Sequence, residues 1–356
     1  MTLLQLKHLT KTFSNRTILH SLDLEVSQGE FLCILGQSGS GKTTLLRLIA
    51  GFERVDRGEI ILSGKVISSP KIHLPPEKRD IGIVFQDHAL WPHMSVFENV
   101  AFPLRVQKHT ESLIQKKVLK ALSDVSMENF KDTMPHQLSG GEAQRIALAR
   151  TLIQEPRLIV FDEPLASLDA LLRYELQGVI KKLHHTRGLT SLYITHDPFE
   201  AMRLGQRIAI LDKGFLQQCD TPEKMYKEPR TENVARLLGQ GHTLTATVAA
   251  ISDTHVIFTL NDTSFSLPKG PHTFEPGTRM SLFIRPEHVF LDNNPQGLEC
   301  TVKECFFSHD NLYALILHTK DGQTLQTKSP VPFDVSATVF CTLKGGSFLQ
   351  PSLNYS

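Results

Sequence analysis

Apolar and polar residues alternate in LLQLKHL (3–9) and LHSLDLEV (19–26), the period-two pattern of half-buried strands. Four later runs, FLCIL (31–35), LIVF (158–161), LYIT (192–195) and IAIL (208–211), are short and continuously apolar. Helical patterns lie between several of them, and together they predict buried parallel strands in an α/β sheet. A helix-rich insert is expected at about 87–155. Within it Ile114, Val118, Leu122 and Val125 recur on one face of a packed helix. Beyond Leu238 the texture changes to TLTATVAAI, THVIFTL, SLFIRPEHVFL, LECTVKECFF, LYALILH and ATVFCTL, separated by Gly, Pro, Asn and Asp. These segments predict a small all-β second domain, an OB-like barrel. GQGH (239–242) is the expected junction, giving domains 1–238 and 239–356.

Composition removes several function classes. The chain has 356 residues, and 38 Lys+Arg against 37 Asp+Glu leave a formal charge of +1, no electrostatic footprint for nucleic acid. Five cysteines, irregularly spaced, read as reduced thiols rather than a disulfide framework. Cys300 and Cys305, with His309 nearby, lack a second ligand pair at zinc spacing and read as ordinary strand residues. No run approaches the ~20 apolar residues that span a bilayer, and the N-terminus carries no signal core. The chain is therefore expected to be soluble and to reach any membrane process by docking.

Two stretches carry phosphate chemistry. GQSGSGKT, Gly36 to Thr43, fits G-x-x-x-x-G-K-[ST] between an apolar strand and the helical TTLLRLIAG. Glycines let the backbone wrap phosphate oxygens, Lys42 offers a charge to the β- and γ-phosphates, and Thr43 offers a hydroxyl to Mg²⁺. LIVFDEP (158–164) ends a strand in two acids whose side chains point to opposite sides. Asp162 is expected to face the metal site, and Glu163 to polarise an attacking water. The second stretch, LSGGEAQR (138–145), places small residues before a helix, an anion-binding N-terminus without a lysine.

These motifs together resemble the ATP-binding subunit of an ABC transporter, with GQSGSGKT as Walker A, LIVFDEP as Walker B and LSGGE as the signature. The resemblance implies an α/β P-loop ABC ATPase domain with a helical insert, followed by the small all-β domain. It implies ATP bound by Phe13 (against adenine), Gly36, Gln37, Ser38, Gly39, Ser40, Gly41, Lys42, Thr43, Thr44 and Asp162, with Mg²⁺ met by Thr43 and Gln86. Glu163, His196 (the switch histidine of LYITHDPFEAM) and Gln86 (the Q-loop glutamine) would carry hydrolysis. Ser139, Gly140, Gly141 and Glu142 would read the γ-phosphate held by a second copy, and Ser167 and Asp169 form the D-loop. The implied assembly is a homodimer on two transmembrane permease subunits, docked near Ala89–Phe102. It would lie peripherally on the cytoplasmic face of the inner membrane and work indirectly with an extracytoplasmic solute-binding protein.

Some positions depart from the common form. Glu142 stands where many members have Gln, and a carboxylate beside a γ-phosphate is unfavourable unless it points outward. Gln37 replaces a frequent proline, Ala166 and Ser167 are exchanged relative to the usual order, and His242 stands where relatives often have Asn. IRPEH (284–288) in the compact C-terminal part resembles ferric-ion importers most, with polyamine, phosphonate and sugar types as alternatives. A non-transport ABC ATPase acting on nucleic acid is the distant alternative; it would call for coiled-coil insertions, zinc modules or basic stretches.

Overall fold

The computed structural model describes residues 1–269, 273–292, 294–308 and 310–349. Two compact units divide between Pro222 and Glu223, ahead of the junction expected at 239. In the first, β1 (Thr2–Phe13) and β2 (Arg16–Ser27) form a hairpin. Its turn residues Ser14 and Asn15 have φ of 43° and 69°, the positive values a tight hairpin requires. Then follow β3 (Phe31–Leu35), α1 (Lys42–Ala50), β4 (Arg57–Leu62), β5 (Lys65–Ser68) and β6 (Ile81–Val84). Next come α2 (Val96–Val106), α3 (Glu111–Asp124), α4 (Gly140–Leu152), β7 (Leu158–Asp162), α5 (Ala170–Arg187) and β8 (Ser191–Thr195). The unit closes with α6 (Pro198–Leu204), β9 (Arg207–Asp212) and β10 (Phe215–Asp220).

Two sheets result. One is antiparallel in the order β2-β1-β4-β5; the other runs β10-β9-β3-β8-β7-β6, parallel except for the edge strand β10. All residues of β3 and β8 are buried, as their unbroken apolar runs require in a sheet covered on both faces. The insert between β6 and β7 is helical, and Ile114, Val118, Leu122 and Val125 are each 0% exposed. The core joins α1 to both sheets: Leu45, Leu46, Leu48 and Ile49 pack with Leu4 and Leu6 of β1 and Ile34 of β3. The first turn of α1 thereby rests on buried residues, and the parallel strands deliver their C-terminal ends to one edge, where ligands bind in such sheets.

The boundary falls just inside α7 (Pro222–Lys227), and the second unit continues with α8 (Glu232–Leu238). Strands β11 (His242–Ile251), β12 (His255–Leu260), β13 (Thr263–Pro268), β14 (Arg279–Ile284) and β15 (Val289–Asp292) follow. Then come β16 (Leu298–Phe307), β17 (Tyr313–Thr319), β18 (Thr324–Ser329), β19 (Thr338–Leu343) and β20 (Ser347–Phe348). They form two antiparallel sheets, β13-β12-β11-β14-β20 and β15-β19-β16-β17-β18, which share one apolar core. Cys300 and Cys341 are buried in that core and Cys305 packs at its edge; His309 lies outside the described residues. Among the described residues no helix is long and apolar enough to cross a membrane.

Candidate functional site

The loop between β3 and α1 is shaped by glycine at three points. A Cβ on Gly36 would run into the Leu211 carbonyl, while Gly39 and Gly41 have φ of 79° and 104°. The resulting curve points successive N–H groups inward, an arrangement suited to phosphate oxygens. Gly41 caps α1 without a side-chain hydrogen bond, and the first turn of α1 holds no acidic residue, so this helix N-terminus is open to an anion. Lys42 is 5% exposed. Its Nζ donates to the carbonyls of Gly36 at 2.7 Å and Gln37 at 2.9 Å. Burial pulls its ammonium below the ordinary range, and the Glu163 and Asp162 carboxylates oppose that shift. Gln37, Ser38 and Gly39 are exposed at the lip of the loop, whereas Ser40 is buried with its Oγ unpartnered among the described residues.

The two acids of β7 separate as strand geometry dictates. Glu163 sits just past the strand at φ 44°, a strained setting for a non-glycine residue, pinned by its N–H to Ile194 O at 3.0 Å. Its carboxylate lies 2.7 Å from His196 Nδ1 and 3.9 Å from Lys42 Nζ. Lys42, Glu163 and His196, spread over more than 150 positions of the sequence, are thus brought to one point. Asp162 turns instead toward a cleft of about 430 Å³ that Thr43, Arg47 and Phe85 also line. Burial, then the neighbouring Glu163, raise its carboxyl above the usual range, with Arg47 and Lys42 opposing. An exposed hydroxyl on Thr43 beside a carboxylate that burial disfavours is a donor set suited to a hard, oxygen-seeking cation. Gln86 is exposed on the turn after β6, and Thr44 is half-buried in the first turn of α1. Phe13 is 40% exposed at the end of β1, with Lys11 Nζ 4.7 Å from its ring centre.

The N-terminus of α4 contrasts with that of α1. Ser139 is its N-cap, and Glu142 folds back in a capping box. Glu142 Oε2 accepts from Ser139 N and from Ser139 Oγ, each at 2.8 Å, while Ser139 Oγ accepts from Glu142 N at 3.4 Å. The carboxylate thus folds back onto the helix end and does not point outward, the one orientation that would have kept its charge away from a phosphate there. Ser139 and Gly140 are exposed, and Gly141 is buried against Leu172. Among the described residues no hydrogen bond or ion pair joins Ser139–Glu142 to Lys42, Glu163 or His196. The S-x-x-E spacing was the sequence signal for this box.

Asp169 is used as a cap: its Oδ1 accepts from Leu171 N and Leu172 N at 3.0 Å each, starting α5, while Ser167 is exposed. The segment after Gln86 is held from several sides. His88 and Ala89 have φ of 60° and 50°, and their carbonyls accept from Arg150 at 2.9 and 2.6 Å. His88 Nε2 lies 2.9 Å from Gly140 O. Trp91 packs on half-buried Phe102 with ring centres 4.3 Å apart. Asn99, fully buried and not anticipated from the sequence, exchanges hydrogen bonds with both Trp91 N and O at 2.8 and 3.1 Å.

A sequence profile for the family described as ABC transporter matches residues 19–166. A relative from Chromobacterium violaceum described as a spermidine/putrescine import ATP-binding protein is 39% identical over 338 residues, covering 93% of this chain and 92% of its own. One with the same description from Pseudomonas aeruginosa is 40% identical over 335 residues, covering 92% of this chain and 91% of its own. Among solved structures, a component of an ABC transporter complex from Clostridium perfringens is similar with 29% identity and a TM-score of 0.59, covering 63% of this chain and 90% of its own. A dimeric ATP-binding cassette in a post-hydrolysis state with ADP and Pi is similar with 32% identity and a TM-score of 0.54, covering 62% of this chain and 98% of its own. Neither curated relative's description mentions iron; both give polyamines, the first alternative to the ferric-ion expectation.

Proposed function

This chain belongs to the ABC transporter family and is an ATPase, and from that premise we propose that its hydrolysis powers polyamine import. The observation that carries the cargo is the reach of the likeness: the two relatives described as spermidine/putrescine import ATP-binding proteins match 93% and 92% of this chain, through both structural units. The ferric-ion expectation rested on a short C-terminal motif and is set aside in favour of polyamines.

In the proposed cycle, the open N-terminus of α1 and Lys42 bind the β- and γ-phosphates of ATP, with Gly36–Thr44 around them and Phe13 against the adenine. Lys42 then exchanges its carbonyl partners for phosphate oxygens. Glu163 accepts a hydrogen bond from the attacking water and draws on its proton, and His196, 2.7 Å away, holds that carboxylate in place. Mg²⁺, held by Thr43, Gln86 and Asp162, would supply positive charge to the phosphate oxygens. The Ser139 end of α4 completes the site of a second copy, so that ATP favours a closed homodimer. The segment Ala89–Phe102 receives one of two permease subunits, which keeps the chain peripheral on the cytoplasmic membrane face, with a solute-binding protein outside.

The test is uptake of labelled spermidine, putrescine and ferric iron into vesicles carrying this chain with its permease subunits. Polyamine uptake that needs ATP and is lost in Lys42→Ala supports the reading. Iron uptake without polyamine uptake would sink it.

A further inference from the structure

We infer that Arg173, on α5, is a positioning residue that fixes the His196 segment and ties it to the turn at Ser167–Asp169. The inference rests on the proposed role of His196 at the ATP site. One guanidinium makes both connections. Its Nη2 donates to Leu168 O at 3.0 Å, on the turn, and its Nη1 donates to Asp197 Oδ2 at 3.2 Å, next to His196. Its Nε lies 3.8 Å from Glu200 Oε1.

The far end of this bridge is stiff. Asp197 Oδ1 caps α6 by accepting from Phe199 N at 2.8 Å and Glu200 N at 3.3 Å. Thr195 Oγ1 accepts from Asp197 N at 2.9 Å and donates to Glu200 Oε2 at 2.7 Å. Tyr193 Oη donates to the same carboxylate oxygen at 3.0 Å. Glu200 is 3% exposed, and burial raises its carboxyl above the usual range, opposed by the Thr195 and Tyr193 hydrogen bonds and then by this guanidinium. His196 therefore projects from between two residues that a buried network holds, and Arg173 is the only side chain of α5 that reaches that network among the described hydrogen bonds and ion pairs.

The near end of the bridge is the exposed Ser167 turn, whose backbone at Leu168 moves with Arg173. A displacement there shifts Asp197 and, through it, the 2.7 Å contact between His196 and Glu163. Lysine cannot replace this function, because one ammonium on a flexible stem does not span both partners as a planar fork does.

The test uses the full chain with Arg173→Met, Arg173→Lys, Asp197→Asn and the Arg173→Met/Asp197→Asn double variant. Steady-state ATPase, equilibrium ATP binding and thermal melting are measured for each. Arg173→Met is expected to lower kcat about 10- to 100-fold, the loss typical of a small misplacement at a reacting centre, with KM and ATP affinity within about twofold. The double variant is expected to be no more than about twofold slower than Arg173→Met, because both substitutions cut one link. Unchanged kcat in folded Arg173→Met, or losses that multiply in the double variant, overturn the inference. If Arg173→Met melts early, Arg173→Lys decides: lowered kcat at unchanged KM supports the link, and wild-type kcat overturns it. His196→Ala in the same assay separates the two ideas. Full turnover there removes the role of His196 itself, whereas lost turnover there beside normal Arg173 variants removes only the bridge.

Discussion

Replacing Glu163 by Gln preserves the shape of the side chain and removes its charge. Two opposite consequences follow for one substitution. Loss of a general base typically costs 10²–10⁴ in rate, which is about 3–5 kcal/mol of barrier. Binding should move the other way. A unit charge about 4 Å from a partner is worth roughly 1 kcal/mol in water and about 4 kcal/mol at the effective dielectric near a protein surface. The Glu163 carboxylate stands 3.9 Å from Lys42 Nζ and is 26% exposed, so the lower part of that range applies. Its removal releases Lys42 toward phosphate and takes away a repulsion of the same order. Glu163→Gln is therefore expected to bind ATP as tightly as the parent or up to about tenfold more tightly. Phosphate release under saturating ATP gives kcat, and equilibrium dialysis with labelled ATP gives Kd. Turnover within tenfold of the parent would refute the base assignment. Loss of turnover together with loss of binding would refute the electrostatic reasoning.

The shared-site proposal predicts that mixing Lys42→Ala and Ser139→Arg chains restores ATPase above either variant alone; mixtures that stay inactive at every ratio count against it. Glu142→Ala removes the N3 half of the α4 capping box, with its hydrogen bonds from Ser139, and should lower stability by about 0.5–1.5 kcal/mol in urea unfolding, while Glu142→Gln keeps an acceptor and should lose less. Equal losses in the two variants would assign the effect to the charge instead of the acceptor, and no loss in Glu142→Ala would show that the box contributes nothing. His184 is 4% exposed, bonded to Ser191 Oγ at 3.1 Å, and its ring is pulled from 6.5 to about 4 by burial, then by His185. Since the unfolded chain holds that proton more tightly, the contribution is full above pH 6.5 and declines toward pH 4, by about 3 kcal/mol in total. The measurement is unfolding free energy against pH for the parent and His184→Phe, and curves of identical slope between pH 6.5 and 4 contradict it.

The sequence disclosed buried strands better than exposed ones. β3, β7, β8 and β9 coincide with continuous apolar runs, because a strand covered on both faces has no polar positions to blur its outline. β13, TSFSLP, buries only Phe265 and Leu267 and turns Ser264 and Ser266 outward, so its composition resembles a loop. β18, TLQTKS, hides Gln326 and Thr327, whose burial depends on partners distant in sequence. The phosphate loop was legible because glycine and lysine at fixed spacing have few other uses. The inward turn of Glu142 is written locally in the S-x-x-E spacing of a capping box, which competes with the charge argument that would turn it outward. Arg173 left no trace, since nothing in a helical arginine reveals that a carbonyl five residues back and a carboxylate at the start of α6 share it.

The bonds from Lys42 to the Gly36 and Gln37 carbonyls carry a kinetic consequence. They brace the loop in its curved form, so phosphates meet a shaped mould and need only exchange with one ammonium's partners. Association should then proceed at a rate set by encounter rather than by folding of the loop, and dissociation should carry most of the discrimination between ATP and ADP.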